Sequence, residues 1–242
     1  MKSAALTLFI VPFFVISTWH INDRPLEDHP VVLELFTSQG CSSCPPADRL
    51  LKAVRSENVI ALSYHVDYWD YIGWKDPFAS EKYTNRQRRY GNKFYSSTIY
   101  TPQLVVNGRE HFVGSDRQKL NQKIKQYSAK KRQNSISISN INERDGVVNF
   151  DYKLAQLTED DYLRIILVID ERKTSVKRGE NRNRELINSN IVIAEQQFKI
   201  DKSSGKGQIR IPNLVKESDQ LSLVLVVENR NMDISNAVQK RI

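Results

Sequence analysis

Cys41 and Cys44 are the only two cysteines in the 242-residue chain, and just two residues separate them. A bridge closing so short a loop removes little chain entropy, so stapling alone is a weak reason for the pair. The chemistries that use two sulfurs at this spacing are thiol–disulfide exchange and soft-metal binding. Pro45 and Pro46 follow directly and suit the first turn of a helix, where a missing N–H costs nothing. A thiolate at a helix start is stabilised by unpaired backbone N–H groups and the positive end of the dipole, which lowers a cysteine pKa from ~8.5 toward ~3.5–7.5. Cys41 is therefore expected to be the exposed nucleophile at the cap, and Cys44 to resolve the mixed disulfide. Ser42 and Ser43 add hydroxyl and amide donors.

The elements that must hold this pair can be read on either side of it. Val31 to Phe36 is an apolar run broken only by Glu34, Thr37 to Gly40 reads as a loop, and Leu50, Leu51 and Val54 share one helical face. Asn58 to His65 reads as a buried strand, which makes the first unit a right-handed parallel strand–helix–strand crossover. An aromatic-rich loop follows, from Val66 to Phe78, and then a polar helix from about Ser80 to Tyr90. The loop leaves the same end of the parallel strands as Cys41, the end at which open sheets bind ligands. Thr101-Pro102 precedes a strand to Val106, Asn107-Gly108 is a hairpin turn and His111 to Val113 returns. Ser115 or Asp116 caps a last helix to about Ser128, with Leu120, Ile124 and Tyr127 at helical spacing.

Past Lys130 the pattern changes to period-two alternation. Strands are expected at Ser135 to Ile141, Val147 to Leu154, Tyr162 to Asp170, Ile191 to Ile200, Gln208 to Ile211 and Leu221 to Glu228. Thr174 to Leu186 is a charged excursion between two of them.

The N-terminus differs in kind. Lys2 precedes an apolar run from Ala4 to Ile16 that is too short to span a bilayer and fits a secretory leader or a short anchor. The net charge of +8 is spread along the chain, and no helix-turn-helix, zinc-finger or RNA-recognition signature accompanies it, so no nucleic-acid partner is expected. With four histidines and no second cysteine pair, a structural zinc is not expected either.

The order of these elements, with Cys-x-x-Cys at a helix start and Thr101-Pro102 before an antiparallel hairpin, resembles the thioredoxin fold. Pro102 then takes the place of that fold's cis-proline. The string from Glu34 through Cys41, Cys44 and Pro46 to Asp48, with Tyr64 to Asp70 and Thr101-Pro102-Gln103, resembles the thioredoxin-like secreted family called domain of unknown function 1223. The resemblance runs from about Val31 to the C-terminus and takes in Arg178-Gly179-Glu180-Asn181 with Arg184. It implies export, and a groove shaped by Thr101, Pro102 and Gln103. Gly40 stands where thioredoxin has tryptophan, and Ser42-Ser43 where it has Gly-Pro, so no reduction potential carries over.

Each remaining site residue has a plain reading and a sharper one. Glu34, one residue further from the cysteine than thioredoxin's buried acid, is either the proton acceptor for Cys44 or a paired structural carboxylate. His65 is either a hydrogen-bonded structural histidine or a functional one, favouring the Cys41 thiolate or joining Cys41 and Cys44 around Cu(I). Tyr68, Trp69, Tyr71 and Trp74 form core or a ledge for a substrate. Glu180, Asn181 and Arg184 belong to a solvated loop, or else reach across to order the cysteine site or bind an anion.

The expected architecture is an α/β thioredoxin-like fold followed by an antiparallel β-sandwich-like domain. Residues 1–18 would be the leader or anchor, 19–30 a linker, 31–130 the first domain and 131–242 the second. The expected function is an exported, periplasmic or extracellular thiol–disulfide oxidoreductase that needs no cofactor and exchanges with a protein or small-molecule thiol or disulfide. Membrane contact would come only through an uncleaved N-terminal segment. Two alternatives stand beside it, a Cu(I)-binding or delivery protein using Cys41, Cys44 and His65, and a non-catalytic binding module with a structural disulfide. Oligomeric state is left open.

Overall fold

A computed structural model of the protein describes residues 30–129 and 135–242. The expected leader, all of the expected linker but Pro30, and the Lys130–Asn134 boundary lie outside the described residues. β1 (Val31–Thr37) and β2 (Val59–His65) are buried along their whole length and pair in parallel, with α1 (Pro45–Val54) as the crossover. α2 (Glu81–Lys93) follows the aromatic loop, with the Ser80 side chain accepting from Lys82 N–H at its start. β3 (Gln103–Val106) pairs antiparallel with β1, and β4 (Glu110–Val113) returns through the expected Asn107-Gly108 turn. α3 (Arg117–Ser128) is capped by Asp116, whose carboxylate accepts from Lys119 N–H at 2.9 Å.

The second half supplies β5 (Ile136–Arg144), β6 (Val147–Leu154), β7 (Tyr162–Ser175), β8 (Glu185–Lys199), β9 (Ser204–Arg210), β10 (Leu221–Glu228) and β11 (Ile234–Arg241). These strands do not form a sandwich closed on itself. β7, β8, β10 and β11 continue the sheet of the first half, giving a mixed eight-stranded sheet in the order β11-β10-β7-β8-β2-β1-β3-β4, while β5, β6 and β9 form a separate three-stranded sheet. The join is a parallel pairing of β2 with β8 at Ser63 and Ile191. Asn190 secures it by donating to Ala61 O at 2.6 Å and accepting from Arg55 at 2.8 Å.

The alternation along each strand sorts the core into three clusters. Val31, Leu33 and Leu35 of β1 face α1 and α3. Val32 and Phe36, on the opposite face, pack with Tyr83 and Tyr90 of α2 and with Ile166, Val224 and Val226 of β7 and β10. Leu163, Ile165, Leu167, Leu223 and Leu225 meet the three-stranded sheet through Val148, Phe150 and Leu154. The large sheet curls, so that Ile234 N at the start of β11 donates to Asn107 O at 3.0 Å across the β3–β4 turn.

Gly108 sits at that closure with φ +68, and a Cβ there would collide with the Met232 carbonyl. A Gly108→Ala substitution combines a left-handed backbone with a backbone clash and should cost about 2–4 kcal/mol. A matching fall in the urea midpoint, with an unchanged slope, is the measurement.

The inward face of the curl also carries charge. Glu34, on the same face as Val32 and Phe36, accepts from Arg86 Nε at 2.9 Å and from Arg164 Nη1 at 2.8 Å, and also takes a hydrogen bond from the Tyr90 hydroxyl. Glu228 accepts from Arg86 Nη2 at 2.8 Å and lies 3.3 Å from Arg164 Nε. Burial pushes the Glu34 carboxyl up, but Arg164, Arg86 and the hydrogen bonds outweigh it and hold the pKa at about 2. This corrects the reading of Glu34 as proton acceptor for Cys44. The strand's period of two turns it away from α1, and the two guanidiniums keep it ionised.

Candidate functional site

β1 ends at Thr37, and the loop from Ser38 delivers Cys41 and Cys44 to the start of α1. Cys44 is the helix cap, Pro45 begins the first turn, and Ala47 and Asp48 both bond back to Cys44 O. The cysteines form a disulfide with Cα atoms 5.5 Å apart. Ser42 and Ser43 are exposed, whereas Cys41 and Cys44 are both 0% exposed. The expectation of an exposed Cys41 is thus overturned.

The segment between β7 and β8 is bonded to this loop. Asn181 Nδ2 donates to both Gln39 O and Cys41 O at 2.9 Å, and Arg184 fixes the amide by donating to its oxygen at 3.0 Å. Glu180 accepts from Ser42 N at 2.9 Å, and hydrogen bonds from the Ser42 hydroxyl and N–H lower its pKa although the side chain is open to solvent. Gly179, at φ +75, lies against Ile72 and Trp74. The excursion therefore docks on the cysteine loop, and Glu180, Asn181 and Arg184 all join the site.

Gln39 is the hub beneath. Its N–H donates to Asp76 at 2.8 Å, its amide donates to Asn188 at 3.0 Å, and it accepts from the Trp74 indole at 3.2 Å. The Trp69 indole donates to the Thr101 hydroxyl at 2.8 Å, and its Cβ lies against Gly40, where an added Cβ would be 3.1 Å away. Because β1 and β3 pair with Phe36 opposite Gln103, the cis Thr101–Pro102 peptide is brought beside the end of β1. Gln103 is buried and accepts from Gln87 at 3.1 Å. Burial raises the Tyr68 hydroxyl to about 12, with Gln87 and Thr101 as its neighbours. Tyr71 is 82% exposed and caps this aromatic corner.

His65, at the end of β2, is buried with Nδ1 2.7 Å from Asp76. Burial opposes its charge, but Asp76 and Asp48 outweigh that and raise its pKa. Asp76 is held low despite burial by His65 and by N–H donors from Gln39 and Phe78. Asp48, one turn into α1, accepts from the Thr37 hydroxyl at 3.3 Å, and burial raises it to about 6. Asp48 Oδ1 and His65 Nε2 have no hydrogen-bond partner among the described residues. The sequence reading passed over Asp48 and Asp76. The signal for Asp48 was an acid four residues after Cys44, on the face that carries Ala47 and Leu51.

Among the described residues no three histidine, cysteine, aspartate or glutamate side chains gather as a metal-binding group, and no helix is long and apolar enough to cross a membrane. The sulfurs expected to join His65 around Cu(I) are bonded to each other.

Residues 32–228 match a family described as protein of unknown function, DUF1223. The chain is similar, at 29% identity, to the crystal structure of a protein from Agrobacterium tumefaciens, with a TM-score of 0.67 over 88% of this chain and 94% of that one. A DUF3823 family protein from Bacteroides ovatus aligns at 15% identity over 43% of this chain and 52% of its own, with a TM-score of 0.29. No curated protein matches the chain.

Proposed function

As the chain belongs to DUF1223, a family defined without an activity, we infer that its function lies in the cysteine site. We propose that it is an exported thiol–disulfide oxidoreductase whose first half is thioredoxin-like and whose exchanging pair is Cys41 and Cys44. The observation that carries this is the lone Cys41–Cys44 disulfide at the start of α1, at the sheet end where Thr101–Pro102 enters β3. The thioredoxin-like reading is supported by the order β2-β1-β3-β4, with β2 parallel and β3 antiparallel to β1. Export is supported by the apolar run from Ala4 to Ile16 behind Lys2.

The exchange moves two electrons. A partner thiolate attacks the Cys41–Cys44 bond, forms a mixed disulfide and releases a Cys44 thiolate, which takes up a proton. A second partner thiolate displaces Cys41, leaving the partner oxidised as a disulfide and the protein as a dithiol. The reverse sequence reduces a partner disulfide. Access to the buried sulfurs requires the Glu180–Asn181 segment to lift from the cysteine loop.

Removing the Asn181 amide leaves the Gln39 and Cys41 carbonyls without that donor, a loss of about 1–1.5 kcal/mol per hydrogen bond in the closed form. Asn181→Ala is accordingly expected to speed reduction of the disulfide by dithiothreitol about tenfold or more, followed by alkylation of the freed thiols.

The burial of both sulfurs favours a second reading, a binding module with a structural disulfide. Equilibration in glutathione buffers, with the pH dependence of Cys41 alkylation, separates the two. A potential above about −230 mV with a Cys41 pKa below ~7 supports the oxidoreductase. A potential below about −300 mV with an unreactive thiol overturns it.

A further inference from the structure

Glu34 is bound to two arginines on the far face of β1, so the site needs another group to take the Cys44 proton. We infer that Asp48, working with His65, accepts the proton of Cys44 when that thiol resolves a mixed disulfide on Cys41. The inference rests on the redox reading above and adds the proton path that such a site requires.

Four observations converge on it. Asp48 is four residues after Cys44 on one helix, and its N–H bonds to Cys44 O at 3.1 Å, so the two side chains share a face. Asp48 is buried, and among the described residues it has no ion-pair partner at bonding distance and its Oδ1 has no hydrogen-bond donor. His65 also has an unpartnered buried atom, Nε2, while its Nδ1 is anchored to Asp76. Asp76 then reaches the loop before Cys41 through Gln39 N–H. The charges around Asp48 are His65 of β2 and Arg49 of its own helix, which favour its ionised form, and Asp76 of the aromatic loop, which opposes it. Thr37 of β1 adds a hydrogen bond. A carboxylic acid poised near pH 6 by burial is matched to accepting and returning a proton around neutrality.

The step balances. The Cys44 S–H bond breaks, its proton passes to Asp48, and the electron pair stays on sulfur. The Cys44 thiolate attacks Cys41 Sγ, the bond from Cys41 to the partner sulfur breaks, and the partner leaves as a thiolate that takes the proton back from Asp48. Two protein thiols have lost two electrons, which the partner disulfide has gained.

The test uses the reduced full chain and 5,5′-dithiobis(2-nitrobenzoate), whose thiolate is coloured. Cys41 attack releases the first equivalent and Cys44 attack the second, and the second phase is followed against pH. In the wild type its rate should rise through an inflection near pH 6. Asp48→Asn should leave the first phase unchanged, slow the second by about 100-fold, and move its inflection to the ordinary thiol range. His65→Gln serves where Asp48→Asn fails to fold. It removes a cation that lowers the Asp48 pKa, so the inflection should move to higher pH. An unchanged second phase in both variants overturns the assignment of Asp48 and His65 while leaving the redox reading intact. Absence of a second phase in the wild type overturns both.

Discussion

A Cys41→Ser protein is expected to show no turnover of disulfide substrates above the uncatalysed rate, while remaining folded. Without Cys41 no mixed disulfide can form on the attacking side, and a serine hydroxyl is far too weak an acid to replace a thiolate near neutral pH. The loss will not be confounded by unfolding, because a bridge across two intervening residues contributes only about 2 kcal/mol by loop closure. Cys44→Ser should behave differently and accumulate the mixed disulfide on Cys41, which mass spectrometry reads directly. Disulfide turnover by Cys41→Ser equal to wild type would end the oxidoreductase proposal.

The largest stability effect is expected at Arg164. Its guanidinium is fully buried between Glu34 and Glu228, both themselves 0% exposed. Arg164→Met should cost about 3–5 kcal/mol at pH 7, because it strands carboxylates that burial would otherwise neutralise. The pH dependence carries a sign. Glu34 has its folded pKa depressed from 4.5 to about 2, so its contribution is fully present above about pH 4.5 and is lost as the pH falls through 2. The gap between wild type and variant should accordingly narrow on acidification, and urea unfolding at pH 7 and pH 3 measures it. Asp48 has the opposite sign. Its folded pKa is raised from 3.8 to about 6, so wild-type stability falls as the pH rises through that range, on the order of 3 kcal/mol. Asp48→Asn should flatten that fall.

Much of the first half was legible because local signals agreed there. The apolar runs fixed β1 and β2, the two prolines after Cys44 fixed the start of α1, and Asn107-Gly108 fixed the β3–β4 turn. Alternation located β5 through β10, but it could not say which sheet a strand joins. The β2–β8 pairing depends on Ser63 meeting Ile191, a contact no local pattern encodes. β11 was missed because only Ile234, Ala237 and Val238 among its eight residues are apolar. At the site, the spacing of the cysteines was visible, and so was the ambiguity of the Thr174–Leu186 excursion. Its docking on Gln39, Cys41 and Ser42 was not, since these bonds join residues about 140 positions apart. Glu34 stood between proton acceptor and paired structural carboxylate because parity along β1 says only that it opposes Leu33 and Leu35, not which face α1 would cover.

The shared sheet has a consequence for how the chain is made. Until β8 arrives, β2 is an open edge strand whose free N–H and C=O groups invite pairing with any other extended chain. Glu34 can pair early with Arg86 of α2, but its second guanidinium, Arg164, comes 130 residues later. A growing polypeptide that has reached only α3 therefore has no closed sheet and lacks half of its buried charge network, and early folding is disfavoured. For a protein proposed to leave the cell, late closure keeps the nascent chain threadable during translocation. It also makes the unfinished first half the segment most in need of a chaperone.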